Sequence, residues 1–235
     1  MDKIKVIEVK EDVRAHNDRA ADALRERLRE RGTLLINLMS SPGSGKTTLL
    51  SATLDRLASE LSIGVMEADV DSDVDAHTVA EHGARAIQLH TGGMCHLDAA
   101  MTEQGLRNLG VDGLDLVFLE NVGNLICPAE FDTGAGAKVM ILSVPEGHDK
   151  PLKYPLMFEV SDLVLVSKMD VAPYFDFDLG ELEKNVRMRN PSAQIMPLSA
   201  KTGEGMDTWC AWLRSAVANW KGVKRSRSFW GGQRD

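Results

Sequence analysis

A membrane span is the first thing this chain lacks: no apolar run approaches the ~18 residues that crossing a bilayer requires. Its start, Met1–Arg14, is charged where a secretory signal would carry an apolar segment. Neither membrane attachment nor export is expected, and a cytoplasmic protein is. Cysteine is scarce as well. Cys95, Cys127 and Cys210 are the three in 235 residues, too few and odd in number for a disulfide framework, which leaves free thiols or metal ligands. Positive charge is in deficit, with 27 Lys and Arg against 35 Asp and Glu, a net charge of −8. Such a balance gives no basic surface on the scale that nucleic acid demands. What the chain does have is 43% hydrophobic residues over a length that can bury one sizeable core. A single domain is expected over residues 1–222, followed by a tail, 223–235, with no hydrophobic period and read as disordered.

Ser40-Ser-Pro-Gly-Ser-Gly-Lys-Thr47 lies between the apolar run Thr33–Met39 and the helix-like Thr47–Ala58. A strand that feeds a glycine-rich turn and then a helix is the context in which G-x-x-x-x-G-K-[ST] holds phosphate. Gly43 and Gly45 let successive backbone N–H groups turn inward, towards the positive end of the following helix dipole. Ser44 and Thr48 complete the expected cradle. Lys46 supplies a mobile cation for the β- and γ-phosphates, and the Thr47 hydroxyl is a candidate Mg²⁺ ligand. Ser40 stands where the pattern has its first glycine, loosening the match at its least demanding position.

Residues 1–16 read as an extended lead-in, with Ile4–Val6 hinting at a short strand. Asn17 reads as the N-cap of a helix over 17–31, with Ala20, Leu24, Arg27 and Leu28 on one side, Gly32 as the stop, and Arg25–Arg31 as a solvated face. Apolar runs then recur at Ser62–Glu67, Ala86–His90, Leu114–Glu120, Val139–Val144, Leu163–Ser167 and Gln194–Leu198, most of them separated by helix-length segments. That alternation predicts an α/β fold with a mostly parallel sheet and helices on both faces. Ligands of such sheets gather at the strands' carboxyl ends. The last helix, Gly205–Trp220, carries a packing stripe of Met206, Trp209, Leu213, Val217 and Trp220, with Cys210 as a core thiol.

Ser167-Lys168-Met169-Asp170 follows a strand near the place where guanine-specific P-loop proteins carry Asn-Lys-x-Asp. A carboxylate is a paired acceptor and guanine presents N1–H and N2–H₂ side by side, so Asp170 would choose the base, with the Lys168 stem laid over the ring. Ser167 in place of Asn is expected to weaken the tie to the phosphate loop. Ser199-Ala200-Lys201 matches an element whose backbone N–H reaches guanine O6, which favours GTP and GDP over ATP. Two acidic loops complete the rim. Asp69 to Asp75 gathers four carboxylates, some able to cap a helix at Val74 and others to hold Mg²⁺. Glu120 ends an apolar strand in the Walker-B place, and Gly123 could offer its N–H to a γ-phosphate. No glutamine stands out to position an attacking water, so slow intrinsic hydrolysis is expected.

Cys95-His96 follows the turn Thr91-Gly92-Gly93, and Cys127 lies four residues beyond Gly123, with Pro128 behind it. Thiolate and imidazole suit Zn²⁺ and Ni²⁺. A Cys-His pair and one distant Cys are equally compatible with buried thiols, but both segments leave strand ends on the nucleotide rim. Three ligands leave a tetrahedral site one short; water, or a second copy across a two-fold axis, could fill it.

The strings His90-Thr-Gly-Gly-Met-Cys95-His96-Leu-Asp98-Ala, Glu120-Asn-Val-Gly-Asn-Leu-Ile-Cys127-Pro and Pro145-Glu-Gly-His-Asp-Lys-Pro-Leu-Lys153-Tyr-Pro, together with Ser40–Thr47, resemble the HypB family of nickel-incorporation GTPases. The resemblance runs from about Asn17 to Trp220. It implies a P-loop NTPase fold that dimerises on nucleotide, slow hydrolysis of GTP, and Zn²⁺ or Ni²⁺ held at the dimer interface by Cys95, His96 and Cys127. It also implies a small zinc-containing partner like HypA and a hydrogenase large-subunit precursor as recipient. No Cys precedes Cys95 and His16 is the sole His before the phosphate loop, so no separate amino-terminal nickel store is expected. Lys153 is a candidate charge for the partner protomer's site, or else a surface lysine. Rival readings are a UreG-like urease factor, a metal carrier with a vestigial nucleotide site, and an ATP-dependent kinase.

Overall fold

A computed structural model provides the structure and describes residues 9–69 and 82–222. Among these residues seven strands form one sheet: β1 Leu34–Ser40, β2 Ile63–Asp69, β3 Arg85–His90, β4 Leu116–Glu120, β5 Ala137–Ser143, β6 Leu163–Ser167 and β7 Gln194–Pro197. Their order is β3-β2-β4-β1-β5-β6-β7, and every neighbouring pair is parallel. All the strands' carboxyl ends therefore lie on one edge, the one that carries the polar loops of the sequence. β1 is central and buried throughout. It pairs Leu38 with Glu120 of β4 on one side and with Val139 of β5 on the other.

The longer helices are α1 Val9–Arg31, α2 Lys46–Leu57, α3 Ala99–Leu109, α4 Leu179–Arg189 and α5 Met206–Gly222. Successive strand residues point to opposite faces, and the core divides accordingly. Leu38, Val139, Ile141, Leu163 and Leu165 join the cluster that includes Leu24, Leu54, Leu106 and Leu213 of four helices. Met39, Met140, Leu142, Val164 and Val166 join a second, with Met157, Phe158, Leu182 and Val186. Near-continuous apolar strands arise because both faces are covered. In α5 the expected stripe is buried, Cys210 included. Among the described residues no helix is long and apolar enough to cross a membrane.

Three sequence expectations are corrected in α1. The described helix runs from Val9, so Asn17 lies about two turns inside it and is not its N-cap. Its buried stripe is Ala21, Leu24 and Leu28, whereas Arg27 is exposed and pairs with Glu103 at 2.9 Å. Arg25 is not solvated: its guanidinium donates to both Asp132 carboxylate oxygens at 2.8 and 2.7 Å and, through Nε, to the Ala135 carbonyl at 2.9 Å. A basic run looks like a solvated face until a distant loop folds over it. The expected strand at Ile4–Val6, Asp71 to Asp75 and the tail 223–235 lie outside the described residues.

Candidate functional site

β1 ends at Ser40, and the chain turns through Gly43 (φ 72°) and Gly45 (φ 97°) into α2, which opens with Lys46 and Thr47. Both φ values fall where only glycine is comfortable, so the turn depends on those two residues. Ser40 does more than occupy the first glycine's place. Its buried hydroxyl accepts from Lys46 Nζ at 2.9 Å and donates to the Ser41 carbonyl at 2.8 Å. Lys46 Nζ also stands 3.8 Å from the Glu120 carboxylate, with side chains 10% and 9% exposed. Adjacent strand ends thus bring together a cation and a carboxylate, with Thr47 following Lys46 in the first turn of α2. Hydroxyl and carboxylate form the all-oxygen donor set that a hard cation such as Mg²⁺ takes. Asp69 closes β2 on the same edge.

Across the phosphate loop, Ser167 ends β6 and its hydroxyl donates to the Ser44 carbonyl at 2.7 Å. The tie expected to weaken without Asn is therefore made by the shorter side chain. Lys168 is left-handed at φ 60°, the one such non-glycine among the described residues, and its Nζ donates to the Gly43 carbonyl at 2.6 Å. Asp170 Oδ1 accepts from Ser199 Oγ at 2.8 Å, while Ser199 Oγ accepts from the Thr202 N–H at 3.2 Å. A cavity of about 340 Å³ opens among these groups, bounded by Gly45, Leu49, Lys168, Asp170, Ala200 and Lys201. Ser44 and Thr48 line it as well. Lys153 is elsewhere: it is exposed and paired with Asp149 at 2.5 Å.

The loop after Glu120 leans on the phosphate loop. A Cβ on Gly123 would lie 3.0 Å from Pro42 Cγ and 3.1 Å from its backbone nitrogen. Asn121, fully buried, fixes the departure by donating from Nδ2 to Asn37 Oδ1 at 3.1 Å and accepting from the Val122 N–H at 2.9 Å. Asn124 Oδ1 accepts from the Ile126 and Cys127 N–H groups at 2.7 and 3.4 Å, turning the chain into the short helix Cys127–Glu130. There Cys127 meets Cys95 and His96, and the three ligand atoms all lie within 4.8 Å of one another. Cys95 is exposed and the other two are half-buried, so a metal has access. His96 stacks on Phe131 with centroids 4.0 Å apart. Hydrogen bonding to Cys95, then burial and the charge of Cys95, push the Cys127 thiol above its ordinary value, against the pull of Asn124. Soft donors at this spacing fit Zn²⁺ or Ni²⁺, whose binding displaces such thiol protons.

Asn121, Asn124 and Phe131 went unnoticed in the sequence because they act through turns and stacking that no periodicity encodes. The predicted soft ligands, by contrast, converge. A family model described as CobW/HypB/UreG, nucleotide-binding domain, matches residues 34–197, the first residue of β1 to the last of β7. Hydrogenase maturation factor HypB of Rhizobium leguminosarum bv. viciae is 45% identical over 218 residues, covering 93% of this chain and 73% of that protein. The crystal structure of HypB from Helicobacter pylori in complex with nickel has a TM-score of 0.82 at 35% identity, covering 90% of this chain and 100% of that one. HypB from Archaeoglobus fulgidus gives 0.80 at 40% identity, covering 86% and 99%. Matches of this extent, over a phosphate loop and a soft-ligand triad on one sheet edge, mean that the chain belongs to the HypB family, within the CobW/HypB/UreG group of nucleotide-binding domains.

Proposed function

We propose that this chain is a cytoplasmic GTPase that binds nickel and delivers it during [NiFe]-hydrogenase maturation, working as a homodimer promoted by GTP. The observation that carries the reading is the loop Glu120–Cys127. One end holds a carboxylate 3.8 Å from Lys46, and the other a thiol within 4.8 Å of Cys95 and His96. Gly43, Ser44, Gly45, Lys46 and Thr48 cradle the phosphates, while Lys168, Asp170, Ser199, Ala200 and Lys201 receive guanine. Mg²⁺, when held by Thr47 and Glu120 with Asp69 or Asp75 through water, supplies charge neutralisation at the β- and γ-phosphates. Water attacks the γ-phosphorus, the bond to the bridging oxygen breaks, and GDP and phosphate leave.

GTP orders the loop that Gly123 rests against Pro42, two protomers meet across it, and hydrolysis releases the constraint. Cys95, His96 and Cys127 carry the nickel as cargo, Zn²⁺ competing for the same donors. Lys153 extends towards the partner protomer's nucleotide. A small HypA-like protein and the hydrogenase large-subunit precursor are the partners this role requires. Size exclusion with metal analysis tests it. A non-hydrolysable GTP analogue should shift the chain to a dimer and change nickel per protomer relative to GDP, and Cys127→Ala should lower nickel content while leaving GTP affinity intact. Identical elution and metal content with both nucleotides overturn the switch.

A further inference from the structure

The two segments that bear the metal ligands come from different strand ends, 32 residues apart between Cys95 and Cys127, and something must hold them at a fixed separation. Asn17 touches both. Its Oδ1 accepts from the Ala99 N–H at 3.0 Å, and its Nδ2 donates to the Asp132 carbonyl at 2.9 Å. The side chain is 8% exposed, so neither bond has water as a ready substitute. Ala99 opens α3 three residues after His96, and its N–H is one that the helix itself leaves unpaired. Asp132 follows Phe131, the ring on which His96 stacks, and lies five residues beyond Cys127. One helical turn before Asn17, Arg14 pairs with Glu130 of the Cys127 helix at 2.8 Å.

We infer that Asn17 is a positioning residue for the soft-metal site: its amide spans the Cys95–His96 and Cys127 segments, so α1 sets the geometry of the triad. The inference rests on the proposed metal role of that triad. Only an amide serves here. It donates on one side and accepts on the other, whereas Asp keeps the bond to Ala99 and sets a carboxylate against the Asp132 carbonyl, and Leu keeps neither. Groups that orient metal ligands from behind typically alter affinity ~10–100-fold.

The test uses the full chain with GDP bound and Co²⁺ as probe, reading its thiolate charge-transfer and ligand-field bands, with Zn²⁺ competition for affinity. Asn17→Leu and Asn17→Asp should each weaken metal at least ~10-fold and alter the cobalt spectrum, with GDP affinity unchanged. A merely structural role would lower the unfolding midpoint and leave spectrum and affinity as in wild type, and that result overturns the inference. If Asn17→Leu does not fold, Asn17→Asp decides alone by the same criterion. Cys127→Ala separates the two ideas: a cobalt spectrum unmoved by that substitution refutes the triad itself, whatever Asn17 does.

Discussion

In the proposed guanine site the choice of base rests on one side chain, Asp170. Its carboxylate is held by the Ser199 hydroxyl at 2.8 Å, at the wall of the cavity that also admits Lys168 and Ala200. Asp170→Asn keeps the shape and the contact with Ser199 but replaces one acceptor by a donor facing a donor. GDP affinity should fall by roughly 1.5–3 kcal/mol, about ten- to 150-fold, with ADP affinity no better than before. Calorimetric titration of both nucleotides checks this, and undiminished GDP binding removes Asp170 from the base site. The two serine departures resolve at this scale as well. By pattern Ser40 and Ser167 are a loosened match and a weakened tie, yet one hydroxyl holds Lys46 and the other holds the Ser44 carbonyl. Sequence pattern ranks residue types, while a hydroxyl's worth depends on which neighbour the fold places within 3 Å.

Among the elements, the loop between β4 and the Cys127 helix joins the proposed nucleotide site to the proposed metal site. Gly123→Ala puts a methyl 3.0–3.2 Å from Pro42 Cγ, N and Cα, mostly backbone that cannot swing aside. The substitution should destabilise by about 1–3 kcal/mol and weaken GTP, as urea midpoints and nucleotide titration would register. Wild-type values in both would mean the loop does not bear on the phosphate loop. Helix α1 offers a pH test. Burial pushes the Asp132 carboxyl up, but Lys138 and Arg25 pull harder and leave it below the ordinary carboxylate value. A lowered native pKa stabilises the fold above the unfolded pKa of about 4, and that contribution is lost as pH falls through the native value. The urea midpoint of wild type over Asp132→Asn should therefore hold its margin near neutrality and shrink below about pH 4. A constant margin would deny the ion pairs their role. The use of α1's basic run was not legible beforehand, because it depends on Asp132 and Ala135 packing against Arg25 from more than a hundred residues away.

For the whole molecule, coupling is the quantity to measure. If nucleotide and metal share the loop, the factor by which a GTP analogue changes nickel affinity relative to GDP must equal the factor by which nickel changes the preference between those nucleotides. Four titrations close that cycle, and a factor of one on both sides leaves two independent sites on one edge. The order β3-β2-β4-β1-β5-β6-β7 makes such coupling possible by setting β1 and β4 side by side, so that Lys46 and Glu120 meet at their ends.

The strands and the glycine turn were legible in the order of residues along the chain, as were the side chains proposed for guanine and soft metal. Short apolar runs, positive-φ glycines and side-chain chemistry are local properties that a linear string carries. Only the folded chain shows which strands are neighbours, that Cys95, His96 and Cys127 fall within 4.8 Å, and that Asn17 bridges their segments instead of capping α1. These are contacts between residues far apart in the chain, set by how the sheet and helices bury their faces, and no local spacing contains them.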